Sequence, residues 1–248
     1  MLIAEGLTKG FGGPPIVDRV SFTLPRGCIM GLIGPNGAGK TTLFNCLAGS
    51  LRPEAGTLTL DGTRIERLRP DEVFARGMAR TFQIPRPFPA MTVLENVMLA
   101  PQAQLGERFW ANWFQAGSVA AQERALRERA RHWINFVGLS HLIQQPARVL
   151  SGGQRKLLEL ARVLVAEPKL ILLDEPAAGV APPLLAIIME KIAALNALGT
   201  SFLIIEHNME LVMSLCRPVM VLAQGRKLLE GAPEEVRRDP RVIEAYLG

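Results

Sequence analysis

Gly34-Pro35-Asn36-Gly37-Ala38-Gly39-Lys40-Thr41-Thr42 fits the spacing G-x-x-x-x-G-K-[ST], a pattern suited to holding a polyphosphate. Its glycines let the backbone curl until several N–H groups face one anion, and a helix starting at the loop adds its dipole. In such a loop Lys40 reaches the β- and γ-phosphates and the Thr41 hydroxyl is placed for Mg²⁺. Further along, Leu170-Ile171-Leu172-Leu173 runs into Asp174-Glu175-Pro176. That pattern delivers two carboxylates at a strand end, with Asp174 suited to Mg²⁺ and Glu175 to activating a water. A positioned base of this kind is worth ~10²–10⁴ in rate. Between the two sets, Leu150-Ser151-Gly152-Gly153-Gln154 opens a helix with a serine cap and bare glycine amides, a second anion site. One nucleotide has no need of both anion sites unless they come from different subunits. The first loop by itself leaves the kind of nucleotide chemistry open.

These groups need an α/β scaffold to present them. Cys28 to Ile33 reads as a buried strand before the loop, and Thr42 to Ala48 as the helix after it. Ile3 to Thr8, Ser21 to Leu24 and Gly56 to Leu60 read as short strands, with Asp61-Gly62 as a turn. Alternate prolines in Pro85-Arg86-Pro87-Phe88-Pro89 interrupt regular structure. From Val93 to about Val165 the pattern is helical, with Leu126, Ala130, Trp133, Ile134 and Val137 on one face. Leu170 to Leu173 and Ser201 to Ile205 read as buried strands flanking a helix near Leu184 to Leu198. Pro218 to Ala223 and Arg226 to Glu230 read as a hairpin around Gln224-Gly225. The layout is a single α/β domain over residues 1–248, with a helical subdomain inserted at about 88–165.

The bulk composition excludes several classes. With 48% hydrophobic residues in 248, a packed core is within reach. No apolar run is long enough to cross a membrane, and Met1 to Glu5 begin a strand rather than a signal peptide. Cys28, Cys46 and Cys216 lack metal-ligand spacing and read as buried thiols of a reducing compartment. A net charge of +5 suits nucleotide, nucleic acid or an anionic membrane surface alike.

Taken together, the ordered motifs resemble the nucleotide-binding subunits of ABC transporters over essentially the whole chain. The resemblance implies a P-loop NTPase core of the ABC ATPase type, with an N-terminal antiparallel β subdomain and an inserted α-helical subdomain. It implies ATP and Mg²⁺ as cofactors. Gln83 in Ala79-Arg80-Thr81-Phe82-Gln83 matches the glutamine that senses Mg²⁺ and water. His207 in Ile205-Glu206-His207 matches the switch histidine, which contacts the γ-phosphate and the catalytic glutamate. Phe11 stands where an aromatic stacks on adenine. Ser151, Gly152, Gly153 and Gln154 match the signature that completes a partner's site.

Finer similarities point to the ATPases of branched-chain, or hydrophobic, amino acid importers. They lie in Ala79 to Gln83, Asp174 to Gly179, Glu206 to Met209 and the ending Val242 to Gly248. Leu105 to Ser118, with Phe109, Trp110, Trp113 and Phe114, sits where the longer ATPase of such importers carries an insertion. One departure is Ala181, where this group usually has asparagine and other ABC proteins aspartate; alanine has no side-chain hydrogen bond to offer across an interface.

The resemblance implies integral-membrane permease subunits and a second ATPase subunit as partners. A solute-binding protein is an indirect one, and the location is peripheral, on the cytoplasmic face of the inner or plasma membrane. Lipopolysaccharide-export ATPases share the Asp174–Gly179 pattern, so an exporter is the alternative. A soluble ABC protein on nucleic acid is a further one, suggested only by the basic charge. A single phosphate loop, a single signature and no heptad run speak against it.

Overall fold

The structure is a computed structural model describing residues 1–81, 87–101 and 116–247. Two compact units emerge: Met1–Gln83 with Lys169–Ala178 and Ile192–Gly248, and Ile84–Pro168 with Gly179–Lys191.

The first unit carries two sheets. One pairs β1 (Leu2–Lys9) with β2 (Val17–Leu24) and β4 (Ala55–Leu60), all antiparallel, and β4 with the short β5 (Thr63–Arg64). Val17, Val20, Phe22 and Leu24 of β2 are buried, but the first two stand three positions apart. A strict two-residue alternation fails there. Arg19 takes up the extra step with φ +49°, and the pairing with β1 shifts register beside it. For that reason β2 begins at Val17 rather than at the expected Ser21.

The second sheet runs β10-β9-β3-β8-β7-β6. Its strands are β3 (Ile29–Ile33), β6 (Met78–Arg80), β7 (Leu170–Asp174), β8 (Ser201–Ile205), β9 (Val219–Ala223) and β10 (Arg226–Gly231). All neighbours are parallel except the β9–β10 hairpin. Every residue of β3, β7 and β8 is buried, as befits central parallel strands covered on both faces. Their C-terminal ends lie along one edge, where ligands bind in such sheets. Leu43, Phe44 and Leu47 of α1 (Lys40–Leu47) join Leu2, Phe22 and Leu58 of the first sheet and Leu32, Leu172 and Leu203 of the second in one buried cluster. Each such side chain contributes roughly 1.5–3 kcal/mol by leaving water, so the loop before α1 is anchored at both ends.

The short elements α2 (Pro70–Ala75) and β6 were not expected from the sequence, nor were β5 and the helices after β8. α2 has Pro70 at its first position and the Glu72 carboxylate accepting the Arg69 N–H at 2.8 Å, a start signal too brief to stand out. The remaining helices of this unit are α7 (Met209–Leu215), α8 (Pro233–Arg238) and α9 (Pro240–Leu247).

The second unit contains α3 (Val93–Met98), α4 (Ala116–Phe136) and α5 (Gly152–Leu164). It also holds the first part of α6 (Pro182–Ala197). Leu126, Ala130, Ile134 and Val137 are buried along one face of α4 and beyond, and Trp133 is half-buried. Between α4 and α5 the chain makes 3₁₀ turns at Ser140–Leu142 and Ala147–Val149. Among the described residues no helix is long and apolar enough to cross a membrane.

Candidate functional site

The loop between β3 and α1 curls through three glycines with positive φ: Gly34 at +153°, Gly37 at +78° and Gly39 at +97°. Two of them are also fixed by close approach. A Cβ on Gly34 would run into the Leu222 carbonyl of β9, and one on Gly39 into the Ile16 carbonyl. Lys40 is buried, and its ammonium donates to the carbonyls of Gly34 at 2.7 Å and Pro35 at 2.9 Å. Burial lowers its pKa, opposed by the nearby charges of Glu175 and Asp174. The loop's cation is therefore parked on its own backbone, beside two acids.

A cavity of about 410 Å³ opens over this loop. Asn36, Gly37, Ala38, Gly39, Lys40, Thr41 and Thr42 form its floor, and Glu175 and His207 stand at its side. Glu175 follows β7 in a left-handed conformation, φ +49°, rare for a residue with a side chain; its N–H donates to the Ile205 carbonyl at 2.9 Å. His207 follows β8, and its Nε2 lies 3.3 Å from Glu175 Oε1. Adjacent strands β7 and β8 thus end in a carboxylate and an imidazole that meet beside the phosphate loop. A left-handed backbone at such a point is the kind of strain found at functional sites.

Asp174 closes β7 at 8% exposure. Arg80, at the end of β6, donates to Asp174 Oδ2 at 2.9 Å and also to Asn45 Oδ1 of α1. Its guanidinium lies 5.8 Å from the centroid of Phe44. Within Ala79 to Gln83 this arginine carries no local signal of a site residue; its reach to the strand-end acid is visible only once β6 and β7 pair. Gln83 itself lies outside the described residues, as do Phe109, Trp110, Trp113 and Phe114.

Four lining residues had no sequence signal of their own. Pro15 and Ile16, before β2, and Gln224 and Gly225, at the β9–β10 turn, wall the cavity. Gly225 accepts from Asp18 N–H at 2.8 Å and donates to the Ala38 carbonyl at 3.1 Å. A Cβ there would strike the Ile16 carbonyl. The Gln224-Gly225 pair read only as a hairpin turn; its packing on the phosphate loop is a long-range contact that local pattern does not encode. Phe11, in the loop after β1, is 60% exposed, with Lys9 Nζ 5.1 Å over its ring, and is not among the residues lining the cavity.

In the second unit, Ser151 caps α5. Its hydroxyl accepts the Gln154 N–H at 3.2 Å, and Gln154 Oε1 accepts the Ser151 N–H at 2.9 Å. The reciprocal pair is a capping box. Gly152 is exposed, while Gly153 is buried where a Cβ would meet the Leu184 side chain of α6. A side chain at 153 would therefore have to displace Leu184 inside this unit.

Comparisons with known proteins agree with these motifs. Residues 17–178 match the family model described as ABC transporter, and 226–248 match one described as branched-chain amino acid ATP-binding cassette transporter. The chain is 40% identical to the high-affinity branched-chain amino acid transport ATP-binding protein BraF of Pseudomonas aeruginosa, covering all of this chain and 98% of that one. It is 41% identical to LivG, the protein of the same description in Salmonella typhimurium, again over all of this chain and 98% of that one. Among solved structures, a nucleotide-free ATP-binding cassette from an ABC transporter superposes with a TM-score of 0.87 at 36% identity, covering 100% of this chain and 99% of that one. A structure of the ADP conformation of an ATP-binding cassette of an ABC transporter gives 0.85 at 35%, covering 100% and 98%.

Proposed function

The chain belongs to the ABC transporter ATP-binding family, and on that premise we propose that it binds and hydrolyses ATP to drive import of branched-chain amino acids or a related small solute. One observation carries the catalytic half of this reading: Glu175 and His207 meet at 3.3 Å on the wall of the cavity floored by Gly37 to Thr42. A base, an imidazole and a phosphate cradle in one cavity are the parts that γ-phosphate hydrolysis needs. The full-length similarity to branched-chain amino acid transport proteins carries the solute.

Binding begins with an exchange. The Lys40 ammonium leaves the Gly34 and Pro35 carbonyls for the β- and γ-phosphates, while loop amides and the start of α1 take the remaining oxygens. Phe11 stacks on the adenine ring. The donors for a divalent cation are few, namely the Thr41 hydroxyl, the Asp174 carboxylate and, from the resemblance, Gln83. Few protein donors suit Mg²⁺, which keeps waters and phosphate oxygens as its main ligands; once bound it would neutralise charge on the phosphates. Glu175 orients and deprotonates the attacking water, and His207 holds Glu175 and senses the γ-phosphate.

A second ATPase subunit completes the site by presenting its own Ser151 and Gly153 to the same γ-phosphate. Driving such an equilibrium from 1:99 to 99:1 needs ~5.5 kcal/mol of differential binding. Hydrogen bonds to charged groups give ~1.5–3 kcal/mol each, so a few signature contacts per site suffice, and hydrolysis removes them. Permease subunits, docked on the helical unit at the cytoplasmic face of the membrane, convert that closing and opening into transport.

Glu175→Gln tests the reading. The variant is expected to keep ATP affinity, lose ~10²–10⁴ in turnover and accumulate a closed dimer in size-exclusion chromatography. Turnover near wild type would sink the assignment of the base.

A further inference from the structure

Glu206 follows β8 directly and is only 2% exposed. A carboxylate removed from water to that degree is costly unless its oxygens find donors. Three backbone amides serve it. Oε1 accepts the Ala177 N–H at 2.6 Å, and Oε2 accepts the N–H groups of His207 at 2.8 Å and Asn208 at 2.9 Å. Ala177 stands two residues after Glu175, whereas His207 and Asn208 form the start of the next loop. One side chain therefore ties the segment bearing the base to the segment bearing the imidazole.

The same two segments touch at a second point, where the Glu175 N–H donates to the Ile205 carbonyl at 2.9 Å. That bond is the last rung of the β7–β8 ladder; beyond it the two segments separate, and the carboxylate, acting on the far side of Glu175, fixes the angle between them. Asn208 is fixed in turn, since its side chain accepts the Leu211 N–H at 3.0 Å and caps α7. We propose that Glu206 is a positioning residue whose carboxylate pins the Glu175 and His207 segments together and so sets the 3.3 Å separation of their side chains. It makes no contact with the cavity; its effect passes through the pair it aligns. The proposal rests on the reading of Glu175 and His207 as the reacting pair.

Glutamine has the right volume but a single acceptor oxygen. In Glu206→Gln the amide NH₂ must face an N–H donor on one side, so one of the two ties is lost while the core stays filled. ATP turnover and equilibrium nucleotide binding should be measured for Glu206→Gln, His207→Ala and the double variant, using a fluorescent ATP analogue for affinity. Expected is a fall in kcat of about tenfold or more in Glu206→Gln, the scale on which misplaced catalytic groups act, with affinity within about twofold. In the His207→Ala background the same substitution should change kcat by no more than about twofold, because the partner it aligns is gone.

A loss of equal size in both backgrounds, unchanged turnover in the single variant, or affinity falling in step with turnover would overturn the pin. If Glu206→Gln does not fold, amide hydrogen exchange on the intact nucleotide-free protein decides instead. The Ala177, His207 and Asn208 amides should be strongly protected, and exchange at loop rates there overturns the proposal. Wild-type kcat in His207→Ala would defeat the reading of the site itself; protected amides would then mark a staple of the fold without a catalytic role.

Discussion

At the scale of single residues, Lys40 shows how the loop holds its own cation. Its ammonium is satisfied by the Gly34 and Pro35 carbonyls, and burial holds its pKa below the ordinary lysine value against the pull of Glu175 and Asp174. Polyphosphate oxygens in place of neutral carbonyls favour the charged form and raise that pKa. Affinity for ATP is then fully present below the Lys40 pKa of the free protein and declines as pH rises through it toward the higher pKa of the complex. Calorimetry in buffers of different ionisation enthalpy should show proton uptake on binding at alkaline pH and none near neutrality. Uptake that persists in Lys40→Met would assign it elsewhere. The individual groups of this site were legible because their chemistry is local: a loop of amides, a lysine and an acid pair are recognised by spacing. Arg80 and Glu206 were not, since an arginine in a three-residue strand and an acid after an apolar run acquire meaning only from the strand beside them.

The elements add constraints that spacing alone does not reveal. Gly34 and Gly37 look equivalent in the motif, yet their surroundings differ. Gly34 faces the Leu222 carbonyl, while a Cβ on Gly37 meets nothing within 4 Å. Gly37→Ala is expected to cost about 1–2 kcal/mol, the left-handed penalty alone. Gly34→Ala must in addition displace β9 and should lower the thermal midpoint further and abolish nucleotide binding. Parallel denaturation and binding curves of the two variants check this; equal losses would count against the β9 contact as the cause. Apolar runs such as Leu170 to Leu173 and Ser201 to Ile205 announced the central strands because burial on both faces leaves no polar interruptions. β6 escaped notice for the opposite reason. Met78, Ala79 and Arg80 are too few for a pattern, and their extended form is dictated by pairing with β7.

Over the first unit as a whole, a few carboxylates bridge segments far apart in sequence. Asp61, between β4 and β5, receives the N-terminal ammonium, Arg26 and Lys169. Asp18 of β2 receives Arg226 of β10. The N-terminal ammonium first, then Arg26, hold Asp61 at a pKa of about 2 rather than its ordinary 3.8, and Arg226 lowers that of Asp18. A depressed carboxylate pKa adds stability that is fully present above the unfolded value and lost as pH falls through the folded one. Thermal midpoints should therefore be flat above about pH 5 and fall steadily below pH 4. Asp61→Asn should lower the neutral plateau and flatten part of that slope; an unchanged slope would remove Asp61 from the account.

The place of β3 in its sheet bears on how the protein is made. The phosphate loop is translated within the first 42 residues, but β3 lies between β8 and β9, and the cavity wall includes Gln224 and Gly225. A nascent chain emerging from the ribosome must carry its nucleotide motif for some 180 residues of further synthesis before that wall exists. Ribosome-bound chains stalled before residue 219 should accordingly fail to retain ATP, which leaves the newborn subunit unable to spend nucleotide until β9 and the Gln224-Gly225 turn have been made.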